Sequence, residues 1–254
     1  MIRLKSQSEI KLLKQGGKIL AEVLDVVKKL VKPGITTGEL DQLAEELILT
    51  KGGQPSFKGY GDKDNPYPAS LCTSINEQVV HGIPGDYILE IGDILSLDIG
   101  MRYPKDSGLY TDMAVTVPVG KISKQAKNLI KVTSRALDIW LKNIKAGQDL
   151  YHVAKKVQTF VESAGYSVIR DLVGHGVGHA VHEDPQIPNY YIPGASLILK
   201  EGMVLAFEPM VSLGDYRIKT EDDGWSIVTF DKSLCAHFEH TAVVTKKGCD
   251  VITK

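Results

Sequence analysis

The sequence predicts an α+β fold of two equivalent halves, each a pair of helices packed on an antiparallel sheet, with a central cleft between them. Two observations carry this prediction. Apolar residues recur at helical spacing in two blocks, about residues 6–50 and 123–164, and each block precedes β-branched or alternating runs broken by Gly, Pro, Asp and Asn. The second observation is an internal echo. Val31-Lys-Pro-Gly34 returns as Ile144-Lys-Ala-Gly147, and the helix-ending Gly52 returns as Gly165, each 113 positions later. Glu90-Ile-Gly-Asp-Ile-Leu-Ser-Leu-Asp98 likewise resembles Lys200-Glu-Gly-Met-Val-Leu-Ala-Phe-Glu208, so Gly92 and Gly202 each precede an acid by six residues. Asp98 and Glu208 then occupy equivalent strand ends that face one another across the cleft. One domain over 1–254 is expected, with pseudo-repeats of about 6–120 and 123–245.

Each element has its own signal. Ser6 with Glu9 forms a capping-box pattern, and Ile10, Leu13, Leu20, Val23, Leu24 and Val27 give one helical face until Pro33-Gly34. Thr36 with Glu39 repeats the cap, Leu40, Leu43, Ala44 and Leu47 mark the buried face, and Gly52-Gly53 end the helix. Strand patterns follow at Leu71–Ile75, Ile94–Ile99 and Met113–Val119, with a polar loop from Gly59 to Pro68. Helical spacing returns from Ser123 to Lys145 and from about Leu150 to Ala164, and strands resume to the C-terminus.

Composition excludes several classes. Hydrophobic residues make up 43% and charged residues 24%, as in an ordinary globular protein. A net charge of -1 gives no electrostatic reason to expect nucleic acid or an anionic membrane as a partner. Three cysteines without a CxxC pair point to a reducing compartment and exclude a cysteine-rich zinc module. Because no signal-peptide core or membrane-spanning apolar run is present, a cytoplasmic protein is expected.

Chemistry concentrates in Val173 to Pro185, where His175, His179 and His182 lie among Gly174, Gly176 and Gly178. The glycines disfavour a helix and permit close approach, so a bent strand or loop is expected, with imidazoles suited to metal binding or proton transfer. Carboxylates elsewhere complete the set. Asp98 sits in the apolar run Leu95-Ser-Leu-Asp-Ile, where a buried unpaired charge would be expensive. Asp112 precedes Met113-Ala-Val-Thr-Val, Glu208 interrupts Leu205-Ala-Phe-Glu-Pro-Met, and Glu239 lies in Phe238-Glu-His-Thr. Singly each reads better as an ion-pair member or a strand-end carboxylate than as a ligand. Together they form a hard, oxygen-rich donor set for a pair of divalent ions about 3.5–4 Å apart.

Ser74-Ile-Asn-Glu, His81-Gly-Ile-Pro, Asp98, Asp112, Gly174-His-Gly-Val-Gly, His182-Glu-Asp-Pro, Phe207-Glu-Pro-Met and Phe238-Glu-His-Thr resemble the motifs of type I methionine aminopeptidases over nearly the whole chain. The resemblance implies the pita-bread fold, in the short form without a zinc-binding N-terminal extension. Only 30 residues separate Glu208 from Glu239, which leaves no room for the helical insertion of type II enzymes. It further implies a cytoplasmic, monomeric hydrolase that removes the initiator methionine from nascent proteins whose second residue is small, with the ribosome as a possible partner. Asp98, Asp112, His175, Glu208 and Glu239 would hold two divalent ions, iron, manganese, cobalt or zinc, with Asp112 and Glu239 bridging. Glu208 would take the proton from the shared water. His81 and His182 would contact substrate and support charge on the tetrahedral intermediate, while Tyr60, Tyr67, Cys72 and Trp225 match pocket positions.

Several features depart from the family pattern. Asp98 and Asp112 are 14 apart, so a longer hairpin over Tyr103–Tyr110 is expected, with Asp106 a rival ligand at its tip. Extra length between Tyr60 and Tyr67 puts Tyr67 in question, Val181 replaces an aromatic and points to a wider pocket, and His179 is expected to be supporting or structural. Two other readings compete: an X-Pro peptidase, against which Trp225 and the compact N-terminus argue, and a catalytically silent peptide-binding protein, against which the full ligand set argues.

Overall fold

The computed structural model describes residues 2–254. Helices α1 (Gln7–Leu30) and α2 (Thr37–Thr50) lead into β1 (Gln54–Pro55), β2 (Leu71–Ile75), β3 (Gln78–Val80), β4 (Ile94–Tyr103) and β5 (Leu109–Pro118). Helices α3 (Lys124–Asn143) and α4 (Leu150–Ser163) open the second half. They are followed by β6 (Ser167–Val168), β7 (Gly174–Gly176), β8 (Glu183–Ile187), β9 (Val204–Phe207) and β10 (Met210–Ser212). The chain closes with β11 (Ile218–Thr220), β12 (Ile227–Thr229), β13 (Cys235–His237), β14 (Glu239–Val244) and β15 (Cys249–Val251).

Both capping boxes form. Ser6 accepts from the Glu9 N–H while the Glu9 carboxylate accepts from the Ser6 N–H, and Thr36 and Glu39 repeat the exchange. Ser123 and Asp149 cap α3 and α4 through their side chains.

The main sheet runs β1-β4-β5-β14-β9-β7-β8, with β2 also on β4 and β15 also on β14. Each half has its own core. Leu20, Val23, Leu24 and Val27 of α1 and Leu40, Ala44 and Ile48 of α2 pack on Leu95, Leu97, Ile99 and Met101 of β4. Trp140, Leu137, Val153, Val157 and Val161 of α3 and α4 pack on Leu205 and Phe207 of β9 and Ala242 and Val244 of β14. A smaller cluster joins the halves, setting Ile10 and Leu13 of α1 against Val204, Ala206 and Val243. The two halves also share a backbone motif. Gly34 N–H donates to Leu89 O at 2.8 Å and Gly147 N–H to Leu199 O at 2.9 Å, while Thr36 bridges Ile88 as Asp149 bridges Ile198.

The β4–β5 hairpin is longer than the alternating pattern marks, because its outer end pairs where the alternation has faded. Arg102 pairs with Tyr110 and Tyr103 with Leu109, and the Arg102 guanidinium stacks 5.7 Å from the Tyr110 ring centre. Asp106 lies exposed in the turn beyond them. None of the helices among the described residues is long and apolar enough to cross a membrane.

Candidate metal centre and substrate cleft

Period-two alternation sets the site. On β4, Leu95, Leu97, Ile99 and Met101 join the core under the helices, which turns Ser96, Asp98 and Gly100 to the other face. On β5 the same alternation packs Met113, Val115 and Val117 against the core and turns Asp112 and Ala114 the other way. Asp98 pairs across from Ala114, and Asp112 across from Gly100, so the 14-residue separation leaves both acids on the central face. Ala114 in turn faces Glu239 on β14. Glu208 directly follows β9, and His175 on β7 pairs with Ala206 of β9. Five successive strands of the main sheet, β4, β5, β14, β9 and β7, thus each deliver or end at one of the five predicted donors. Asp106 is not among them.

Close backbone approach explains the glycines of β7. A Cβ on Gly174 would stand 2.4 Å from Ala206 O, and one on Gly176 would stand 2.2 Å from Asp184 O, so neither position admits a side chain. That packing fixes His175. Its Nδ1–H donates to the Gly176 carbonyl at 2.9 Å, which leaves the Nε2 lone pair 3.5 Å from Asp112 Oδ2 and 3.4 Å from Glu208 Oε1. Ligand atoms from Asp112, His175 and Glu239 lie within 4.8 Å of one another. Thr241 donates its hydroxyl to Asp112 Oδ1 at 2.8 Å, and Asn189 spans the core, accepting from Trp140 Nε1 at 2.8 Å and donating to the Glu208 carbonyl at 3.1 Å.

The electrostatics call for a cation. Burial pushes the carboxyls of Asp98, Asp112, Glu208 and Glu239 above their usual range; their mutual repulsion adds to it for Asp98, Glu208 and Glu239. Asp98 Oδ1 is buried without a hydrogen-bond partner. Four crowded acids and an imidazole with its lone pair turned inward fit divalent ions of the oxygen- and nitrogen-binding kind.

Above these donors opens a cleft of about 620 Å³, lined by the predicted Tyr60, Tyr67, Cys72, His81, His182 and Trp225. Tyr67 belongs there in spite of the long preceding loop: it is 3% exposed, meets the Trp225 ring edge-on at 5.2 Å, and places its hydroxyl 3.0 Å from Gly82 O. His81 is held at φ 59°, a strained conformation for a residue with a side chain. Burial lowers its pKa to about 4, so it is neutral at physiological pH. His182 stands at the mouth, its Nδ1 2.6 Å from the Tyr60 hydroxyl and its ring centre 4.3 Å from that of His175. The cleft walls and the neighbouring histidines lower its pKa as well.

Val181 is buried, and its short side chain is not among the residues that line the cleft. His179, expected to be supporting or structural, stays out of the cleft: its ring pairs with Glu9 of α1, and its N–H donates to Glu183. Two residues were missed by the sequence reading. Phe57 lines the pocket from a loop with no periodic signal. His237 lies buried beside Glu208 in a short strand whose pattern does not distinguish it.

The metallopeptidase family M24 model matches residues 11–246. Methionine aminopeptidase of Clostridium perfringens is 47% identical over 254 residues, covering 100% of this chain and 99% of that protein. The crystal structure of methionine aminopeptidase from Thermotoga maritima superposes with a TM-score of 0.95 at 47% identity, covering 100% of both chains. Prolidase from Pyrococcus horikoshii shares the pita-bread fold at 22% identity with a TM-score of 0.77, and this chain covers 63% of it. With Asp112, His175 and Glu239 clustered at its centre, and with methionine aminopeptidases matching it end to end, the chain belongs to metallopeptidase family M24 as a methionine aminopeptidase.

Proposed function

We propose that this hydrolase removes the initiator methionine from nascent proteins whose second residue is small, using two divalent ions held by Asp98, Asp112, His175, Glu208 and Glu239. The observation that carries the reading is the delivery of one donor by each of five successive strands to the floor of an aromatic cleft. Ions bound there would acidify a water and polarise the scissile carbonyl. Asp112, His175 and Glu239 would form the heart of the ion-holding set, since their ligand atoms lie within 4.8 Å of one another.

The remaining work falls to side chains of this chain. Glu208, at the floor of the cleft beside His175, accepts the proton and returns it to the departing amine. Tyr60, donating to His182 Nδ1, leaves the His182 proton on Nε2, so that this neutral ring can donate to a carbonyl oxygen gaining charge. His81, neutral and strained into place, contacts the substrate backbone. Tyr67, Trp225, Cys72 and Phe57 hold the methionine side chain, whose thioether gains about 0.3–1.5 kcal/mol from ring contacts. The reading extends to a single catalytic unit over 1–254 and to a monomer in the cytoplasm that meets its substrates near the ribosome. Three unpaired cysteines support the reducing compartment.

Calorimetric titration of metal-stripped protein with manganese, with methionine release followed in parallel, tests the assignment. Two ions per chain are expected, and Asp98→Asn should bind one fewer. A single ion sufficient for full turnover would overturn the dinuclear reading.

A further inference from the structure

Glu208 lies between two imidazoles. His175 Nε2 stands 3.4 Å from its Oε1, and His237 Nε2 stands 3.5 Å from its Oε2. The proposed metal set accounts for His175 and leaves His237 without a role.

That residue is not at rest. His237 is 1% exposed, and neither ring nitrogen has a hydrogen-bond partner. Leaving a buried polar group unsatisfied costs about 1–3 kcal/mol, so an unpartnered ring buried beside Glu208 needs a reason. Its main chain is firmly held. The His237 N–H donates to Thr116 Oγ1 at 2.8 Å, and the same hydroxyl lies 2.9 Å from the His237 carbonyl and 2.8 Å from Ser96 Oγ. On its other side β13 pairs with β10, placing His237 opposite Met210. A clamped backbone and an enclosed ring leave Nε2 directed at Glu208.

We propose that His237 is a positioning residue that donates Nε2–H to Oε2 of Glu208, fixing the carboxylate so that Oε1 stays on the side of His175 and the other donors. The contact needs to close by only about 0.5 Å to become a normal hydrogen bond. The inference rests on the reading of Glu208 as ligand and proton acceptor.

The test uses the full-length protein, stripped of metal and titrated calorimetrically with manganese, followed by methionine release from Met-Ala-Ser at saturating manganese. His237→Gln keeps a donor at similar reach, whereas His237→Leu and His237→Met keep only bulk, and two such variants cover the case in which one packs badly. The Leu and Met variants should bind as many ions as the parent and lose about 10–100-fold in kcat or in manganese affinity, the usual effect of removing an outer partner, with KM changed by no more than about twofold. The Gln variant should stay within about threefold of the parent. Melting of the stripped Leu or Met variant should be no lower than that of the parent, since an unpartnered polar group has gone.

Parental kcat and manganese affinity in the donor-less variants would overturn the proposal. Equal loss in all three variants would do the same, as would loss of one bound ion, which would make His237 a ligand. Glu208→Gln, measured alongside, separates the two readings. If it turns over normally, the role of Glu208 falls. If it is inactive while the Leu variant is unaffected, only the role of His237 falls.

Discussion

Individual side chains carry the chemistry, and their burial decides how they behave. His81 and His182 are both neutral near pH 7, so each can donate one hydrogen bond without bringing a positive charge beside the metal site. Replacing either by alanine should lower kcat/KM by about 10²–10³, the effect of losing one donor at a developing oxyanion, while manganese binding is unchanged. Steady-state kinetics paired with calorimetry checks this, and a parallel loss of metal would show that the histidines hold the site together instead. At this scale the sequence was most informative about acids. Asp98, Asp112, Glu208 and Glu239 interrupt apolar runs, where an isolated charge is costly, and that conflict is visible without a structure. His237 and Phe57 show no such conflict. A histidine in Cys235-Ala-His-Phe reads as an ordinary strand residue until the fold shows both its nitrogens without partners.

Helices and strands position these groups, and the best of them were written locally. The capping boxes at Ser6 and Thr36 and the helix-ending glycines need only neighbours in sequence, so α1 and α2 were legible to within a residue or two at their starts. The supports of the His182 loop were not. Lys5 lies 178 positions from Glu183, yet its Nζ reaches Glu183 Oε2 at 2.6 Å, with side-chain exposures of 1% and 11%. Glu183 in turn accepts from the N–H groups of His179 and Ala180, which shapes the turn leading to His182. Lys5→Met strands a largely buried carboxylate and should cost about 3–5 kcal/mol, read from denaturant unfolding with the metal removed. Helix propensity misleads at Gly17. Alanine is the better helix former by about 1 kcal/mol. At Gly17, however, a Cβ would stand 2.5 Å from Ile252 Cγ2 and 2.6 Å from the Ile252 carbonyl. Gly17→Ala should therefore lower the melting temperature, and an increase would show that the C-terminal segment is free to move away.

For the molecule as a whole, the duplicated sequence becomes two cores that meet around acids neither half could bury alone, and metal resolves that conflict. Burial and neighbouring acids raise Asp98 to about 7 and Glu208 to about 8, above their values in the unfolded chain. Their contribution to the stability of stripped protein is present below the ordinary carboxylate range and is lost as pH rises through 7 to 8. His81, lowered to about 4, works in the opposite sense, but its contribution is complete above the ordinary histidine value of 6.5. Between pH 6.5 and 8 the stripped protein should therefore melt at lower temperature as pH rises, and saturating manganese should remove that slope. A stripped protein that gains stability over this interval would contradict the charge-crowding account. The echo of Gly34 at Gly147 and of Asp98 at Glu208 disclosed the two halves early, whereas the order of strands that gathers the donors depends on pairings no local pattern encodes. Removal of N-terminal methionine by this gathered site is read by incubating metal-stripped protein with Met-Ala-Ser and with Ala-Pro-Ser, before and after adding manganese or ferrous iron. Metal-restored release of methionine from the first peptide alone is expected, and preference for the proline peptide, or no cleavage of either with metal bound, would contradict it.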